Sequence, residues 1–120
     1  MDPTDKVALI TGGRRIGAVV ATELARKGAH VAMVYRASRS EAEGTADTVR
    51  AMGRRALVVQ GDLSQPEACS GVVEATVAEF GRLDILVNMA SVYRERPLDE
   101  VTVEDWDAQL SIDLRAAWLC

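Results

Sequence analysis

Short, uninterrupted apolar runs alternate four times with longer stretches whose apolar residues recur every three or four positions. Runs of the first kind read as buried strands, and stretches of the second kind as amphipathic helices. Lys6–Ile10 predicts the first strand and is closed by Gly12-Gly13. A helix follows from Ile16 to Lys27, with Ile16, Val20 and Leu24 on one stripe and Gly28 as its stop. Val31–Tyr35 predicts a second strand. Ser40 with Glu43 is a capping-box signature for a second helix, which Gly53 ends. Ala56–Val59 is the third strand. Ser64 with Glu67 repeats the capping box, and Val72, Val73, Thr76 and Phe80 form that helix's buried face before Gly81. Leu83–Val87 is the fourth strand, and Thr102 caps a last helix that runs on to residue 120.

This order, with strands too apolar to be half-exposed, predicts an α/β fold with a parallel sheet covered on both faces. Alternation alone leaves two arrangements open, the Rossmann-type doubly wound sheet and the flavodoxin-like one.

The 120 residues make one domain at most, 48% hydrophobic and 27% charged. A net charge of -4 argues against a nucleic-acid partner. No apolar run exceeds five residues, so neither a membrane span nor a signal-peptide core is expected. Cys69 and Cys120 lie far apart and His30 is the only histidine, so no metal site is expected. Reduced thiols and a cytoplasmic location are the defaults.

Chemistry concentrates first in Thr11-Gly12-Gly13-Arg14-Arg15-Ile16-Gly17, at the carboxyl end of the first strand and the start of a helix. Ligands of open parallel sheets gather at that end. Gly12 and Gly13 allow positive φ and close approach to a phosphate. The helix N-terminus offers unpaired N–H groups, and Arg14 and Arg15 add two cations suited to phosphate oxygens. Glycines in such a turn also serve tight geometry alone, and the arginines also read as a solvated pair.

VALITGG at 7–13, GDLS at 61–64, GRLDILVNMAS at 81–91 and WDAQLSIDL at 106–114 together resemble the short-chain dehydrogenases/reductases. The resemblance covers nearly the whole chain. The NMAS version of the Asn-Asn-Ala-Gly motif and the RIG ending of the loop resemble the pteridine-reductase-like branch. The family implies a Rossmann sheet, a nicotinamide cofactor and a small-molecule substrate. Its Thr-Gly-x-x-x-Gly-x-Gly fingerprint is one residue short here, with Arg15 at the middle glycine's place. By resemblance Gly12, Arg14, Arg15, Ile16 and Gly17 form the cofactor loop, Asp62 and Leu63 lie beside the adenine, and Asn88, Ala90 and Ser91 flank the ribose. Asp62 also reads as a turn or helix-cap aspartate.

After the second strand comes Tyr35-Arg36-Ala37-Ser38-Arg39-Ser40, with no carboxylate before Glu41. NAD sites commonly place an acid there for the ribose 2′-OH, whereas arginine and hydroxyl suit a 2′-phosphate. Tyr35, Arg36 and Ser38 therefore favour NADPH over NADH. Val92–Pro97 is expected at the pocket mouth, with Arg94, Glu95 and Arg96 facing solvent.

On the last helix Trp106, Leu110, Leu114 and Ala117 recur at helical spacing, and Asp113 falls near the middle of that stripe. Asp113 matches the family's catalytic asparagine. It reads as a lysine partner, as a lost proton relay, or as an aspartate bonded to backbone N–H groups. Tyr35 and Tyr93 are the only tyrosines and neither has a lysine four residues on, so the family's Tyr-x-x-x-Lys is not found. The expectation is the N-terminal, cofactor-binding fragment of an NADP(H)-dependent oxidoreductase acting on a carbonyl or C=N group, a homo-oligomer through the last helix. A non-catalytic nucleotide-binding or interaction module completed by a partner chain is the alternative. A flavodoxin-like signalling domain is disfavoured, because no acidic cluster follows the first strand.

Overall fold

The computed structural model describes all 120 residues. Four strands, β1 (Val7–Thr11), β2 (His30–Tyr35), β3 (Ala56–Gln60) and β4 (Ile85–Asn88), form one parallel sheet in the order β3-β2-β1-β4. That order is the first half of the Rossmann arrangement and resolves the choice that alternation leaves open. Helices α1 (Ile16–Arg26), α2 (Arg39–Ala51) and α3 (Pro66–Phe80) follow the first three strands. After β4 come a single 3-10 turn at Leu98–Glu100, then α4 (Val103–Leu110), a π-helical turn at Ser111–Arg115, and α5 (Ala116–Leu119).

Alternate residues of the two central strands point to opposite faces. Leu9, Ala32 and Val34 pack with Leu63, Cys69, Val72 and Ala116 beneath α3 and α5. Ile10, Val31 and Met33 pack with Ala21, Ala25, Ala46 and Val49 beneath α1 and α2. β1 is buried at every residue and β2 at its four inner ones, while β3 and β4 are only half-buried. The expectation of fully buried strands therefore holds for the centre and fails at the two edges, where each strand has a neighbour on one side only.

Two helix faces differ from their sequence reading. α1 turns Gly17, Ala21 and Ala25 inward rather than Ile16, Val20 and Leu24. Both stripes satisfy a four-residue spacing, and the small one lets the helix backbone approach the sheet while Val20 and Leu24 pack at its flanks. Ile16 is 68% exposed. On the last helix Trp106, Leu114 and Trp118 face outward, at 63%, 64% and 81% exposure, and Ala116 is the residue that reaches the core. Asp113 is consequently not in a buried stripe.

The capping boxes read at Ser40 and Ser64 do not form. α2 starts after Ser38 without a side-chain cap, and α3 starts at Pro66. Thr102 does cap α4, and its partner is Asp105: the Thr102 hydroxyl accepts from the Asp105 N–H at 3.1 Å and the carboxylate returns the bond.

At the amino end of the sheet, His30 stacks on Phe80 and accepts the Arg55 N–H at Nδ1, 3.0 Å away. Arg55 also lies over the Phe80 ring, 4.7 Å from its centre. Burial, then the charges of Arg54 and Arg55, lower the His30 pKa below the usual 6.5. A lowered histidine pKa means that this group's contribution to stability is full above pH 6.5 and is lost as pH falls below it. An NMR titration of His30 should give a midpoint below 6.5; a midpoint at or above that value would contradict the packing described.

Candidate functional site

The carboxyl ends of the four strands, Thr11, Tyr35, Gln60 and Asn88, lie along one edge of the sheet. Strand order reverses there between β1 and β4, which is where a doubly wound sheet opens a crevice. A cleft of about 350 Å³ occupies this place. Of the residues that the sequence offers for cofactor binding, Gly12, Arg14, Tyr35, Arg36, Ser38, Asp62, Leu63, Ala90 and Ser91 line it. Arg15, Ile16, Gly17, Asn88 and Asp113 do not. Gly13, which the sequence offers for close phosphate approach, and Val92, expected at the pocket mouth, also line it, as do Met89 and Ile112, which carry no such signal in the sequence.

The wall is held by one close crossing of two turns. Gly12 has φ 84°, and a Cβ there would lie 2.7 Å from the Met89 carbonyl oxygen. Thr11, almost fully buried, accepts the Met89 and Ala90 N–H groups at its hydroxyl, 3.1 and 3.3 Å away. Its hydroxyl in turn reaches the Val87 carbonyl at 3.5 Å. The turn after β1 is thus fastened to the turn after β4. Gly17 closes the other side: a Cβ there would meet the Gly12 carbonyl oxygen at 2.2 Å. Gly12 and Gly17 are glycines because backbone meets backbone, and Gly17 shapes the loop without touching the cleft. Gly13 is not left-handed and its nearest neighbour leaves ordinary van der Waals room.

The second left-handed residue of the loop is Arg15, at φ 50° and ψ -104°. It stands where the family fingerprint has its middle glycine, and its positive φ is one that glycine adopts more readily than arginine. Arg14 lies in the cleft wall and forks onto Glu41, with Nε 2.9 Å from Oε2. Arg36 makes no side-chain bond to the chain; only its carbonyl is engaged, by Gln60 at 3.2 Å.

Asp62 accepts the Ser64 hydroxyl at 2.7 Å and the Ser64 N–H at 3.0 Å, both at Oδ1. Those two bonds, the hydroxyl's first, hold its carboxyl below the usual range. The turn-aspartate reading is therefore correct for Oδ1, while Oδ2 has no donor from the chain. Asn88 is exposed and its amide bonds to nothing, and Met89, in place of a second asparagine, packs its side chain under α1 and α2. Asp113 accepts the Val92 N–H at 3.3 Å and is also bonded by Gln109, whose amide reaches the Val92 carbonyl at 2.6 Å. No lysine pairs with it. Arg94 and Arg96 are exposed, as expected, and border a second groove that shares Arg36 and Val92 with the cleft, where Arg96 approaches Asp105 at 3.5 Å.

Comparison with known proteins agrees with this geometry. The short chain dehydrogenase family model matches residues 6–120. The chain is 41% identical over 112 residues to short-chain dehydrogenase/reductase FrzI of a Cladobotryum species, covering 92% of this chain and 43% of that protein. It is 40% identical over 102 residues to the short-chain dehydrogenase/reductase homolog YusS of Bacillus subtilis, covering 84% of this chain and 94% of that one. A short chain dehydrogenase from Burkholderia cenocepacia, solved in complex with NADP, superposes with a TM-score of 0.94 at 41% identity, over 99% of this chain and 49% of that structure. The chain belongs to the short-chain dehydrogenase family. It spans less than half the length of FrzI and about half of the Burkholderia enzyme.

Two substitutions probe the loop by thermal melting. Gly12→Ala should cost at least about 2 kcal/mol, because a Cβ both clashes with Met89 and resists positive φ. Arg15→Gly should raise stability by about 1 kcal/mol, since relief of roughly 1–3 kcal/mol of strain exceeds the roughly 0.4–1 kcal/mol of extra unfolded-state freedom. An unchanged Gly12→Ala melt, or a destabilised Arg15→Gly, would contradict the loop geometry.

Proposed function

We propose that this chain is the NADP(H)-binding part of a reductase that moves hydride between a nicotinamide and a carbonyl or C=N group of a small molecule. The observation that carries this reading is the switch-point cleft with an unpaired arginine, Arg36, beside Ser38 and the uncapped start of α2. An anion fits there: α2 offers free first-turn N–H groups, and Arg36 makes no side-chain hydrogen bond or close ion pair, acting on Asp62 only through its charge. Asp62 Oδ2 is free to accept from an adenine amino group, with Leu63 as apolar neighbour. The Gly12–Arg14 backbone borders the place of a pyrophosphate, and Ala90 and Ser91 are small enough to flank a ribose. Arg15, Ile16 and Gly17 act by shaping the loop.

When bound, the cofactor supplies or accepts the hydride. The chain's own residues bind and orient it, and none of them is assigned the proton transfer. Asp113 is proposed as a positioning residue that, with Gln109, holds Val92 and hence the loop at the cleft mouth. Arg94 and Arg96 line the second groove and are assigned no role in the reaction. The outward face of Trp106, Leu114 and Trp118 is proposed as the contact with a second copy, since an apolar patch of this kind is covered in assemblies. No helix is long and apolar enough to cross a membrane.

Titration calorimetry with NADPH and NADH tests the cofactor assignment. NADPH should bind more tightly, and Arg36→Gln should weaken NADPH about tenfold, the loss of one charge-assisted bond, while NADH changes less than about twofold. Equal affinity for the two nucleotides, or equal loss of both, would overturn it.

A further inference from the structure

Arg14 does not stand free in the cleft wall. Its fork is held by Glu41, with Nη2 3.5 Å from Oε1 in addition to the closer Nε contact. Glu41 sits in the first turn of α2, the same turn that brings Ser38 and Ala42 to the cleft; it borders the groove between α1 and α2 rather than the cleft wall itself, and it is the first carboxylate after β2. Both partners are more than half exposed, at 65% and 52% of their side chains. A pair so exposed is worth about 1 kcal/mol at most and exchanges readily. A phosphate monoester, carrying about -1.5 to -2 charges near neutral pH, competes well against one carboxylate for the same fork.

We propose that Glu41 is a cofactor-selectivity residue that acts through Arg14. The proposal rests on the NADP(H) reading given above. With the pair intact, the Glu41 carboxylate is engaged and does not serve as the acidic acceptor that a ribose 2′-hydroxyl finds in NAD sites. When a 2′-phosphate draws Arg14 away, Glu41 stays behind as an unpaired anion close to the ligand and lowers its affinity. When Arg14 is removed, Glu41 is released and becomes the missing acceptor. Selectivity is then set by the pair together with Arg36, and the two members act in opposite directions. A purely structural tie between the glycine loop and α2 would behave differently, because loss of either partner would loosen the loop and weaken both nucleotides alike.

The test uses the whole 120-residue chain as wild type, Glu41→Gln, Arg14→Gln and the double variant, each titrated with NADPH and NADH after a melt confirms folding. Glu41→Gln should tighten NADPH about 3- to 10-fold and leave NADH within about twofold, with the gain shrinking in high salt. Arg14→Gln should weaken NADPH about tenfold or more and tighten NADH, and the double variant should lose that NADH gain. Unchanged or weaker NADPH binding by Glu41→Gln, in a chain whose wild type binds NADPH, would overturn the role of Glu41 alone. Failure of the wild type to bind either nucleotide would overturn the NADP(H) reading and this proposal with it.

Discussion

The Met89 carbonyl oxygen lies where a side chain on residue 12 would have to be, and the rest of the site depends on that contact. It brings the turn after β1 against the turn after β4, and Thr11 locks the two together from inside the sheet. β1 and β4 are neighbours only because the strand order reverses between them. The crevice is therefore a consequence of topology, and its width is set by how closely two backbones can meet. Gly17 extends the same logic to α1, whose small inner face lets it lie near the sheet with its N-terminus at the loop.

On this frame the charges are arranged unevenly. The chain as a whole is acidic, at -4, yet the cleft wall carries Arg14 and Arg36 against one carboxylate, Asp62. Asp62 is partly committed to Ser64 and Arg14 to Glu41, which leaves Arg36 as the cation without a partner. Local charge, rather than net charge, is what an anionic nucleotide meets at the cleft.

Much of this was legible in the sequence for identifiable reasons. Apolar runs separated by helical periodicity specify a parallel α/β sheet, because a strand buried on both faces has no polar side to show. The loop stands out in the sequence because it sits at a strand's carboxyl end, whereas the Asp62 turn and the Ala90-Ser91 pair are legible only through the resemblance to a family. Other features depend on partners distant in sequence and leave no local trace. Arg14 pairs with Glu41 across 27 positions, and Asp113 turns to Val92 across 21. The inner face of α1 was misread because glycine and alanine carry little hydrophobic signal, although close packing prefers them. Arg15 was legible only as a departure from a fingerprint; that it adopts the glycine-like backbone, rather than reshaping the loop, needed the structure.

The central claim is that the switch-point cleft is the nucleotide site. Amide chemical-shift mapping of the labelled chain on addition of NADPH tests it most directly. The account predicts shifts concentrated at Gly12–Gly17, Arg36–Ser38, Asp62–Ser64 and Met89–Val92, with Gly53 and Gly81 at the opposite end of the sheet unmoved. Shifts centred away from those four segments, or none at saturating nucleotide, would contradict it.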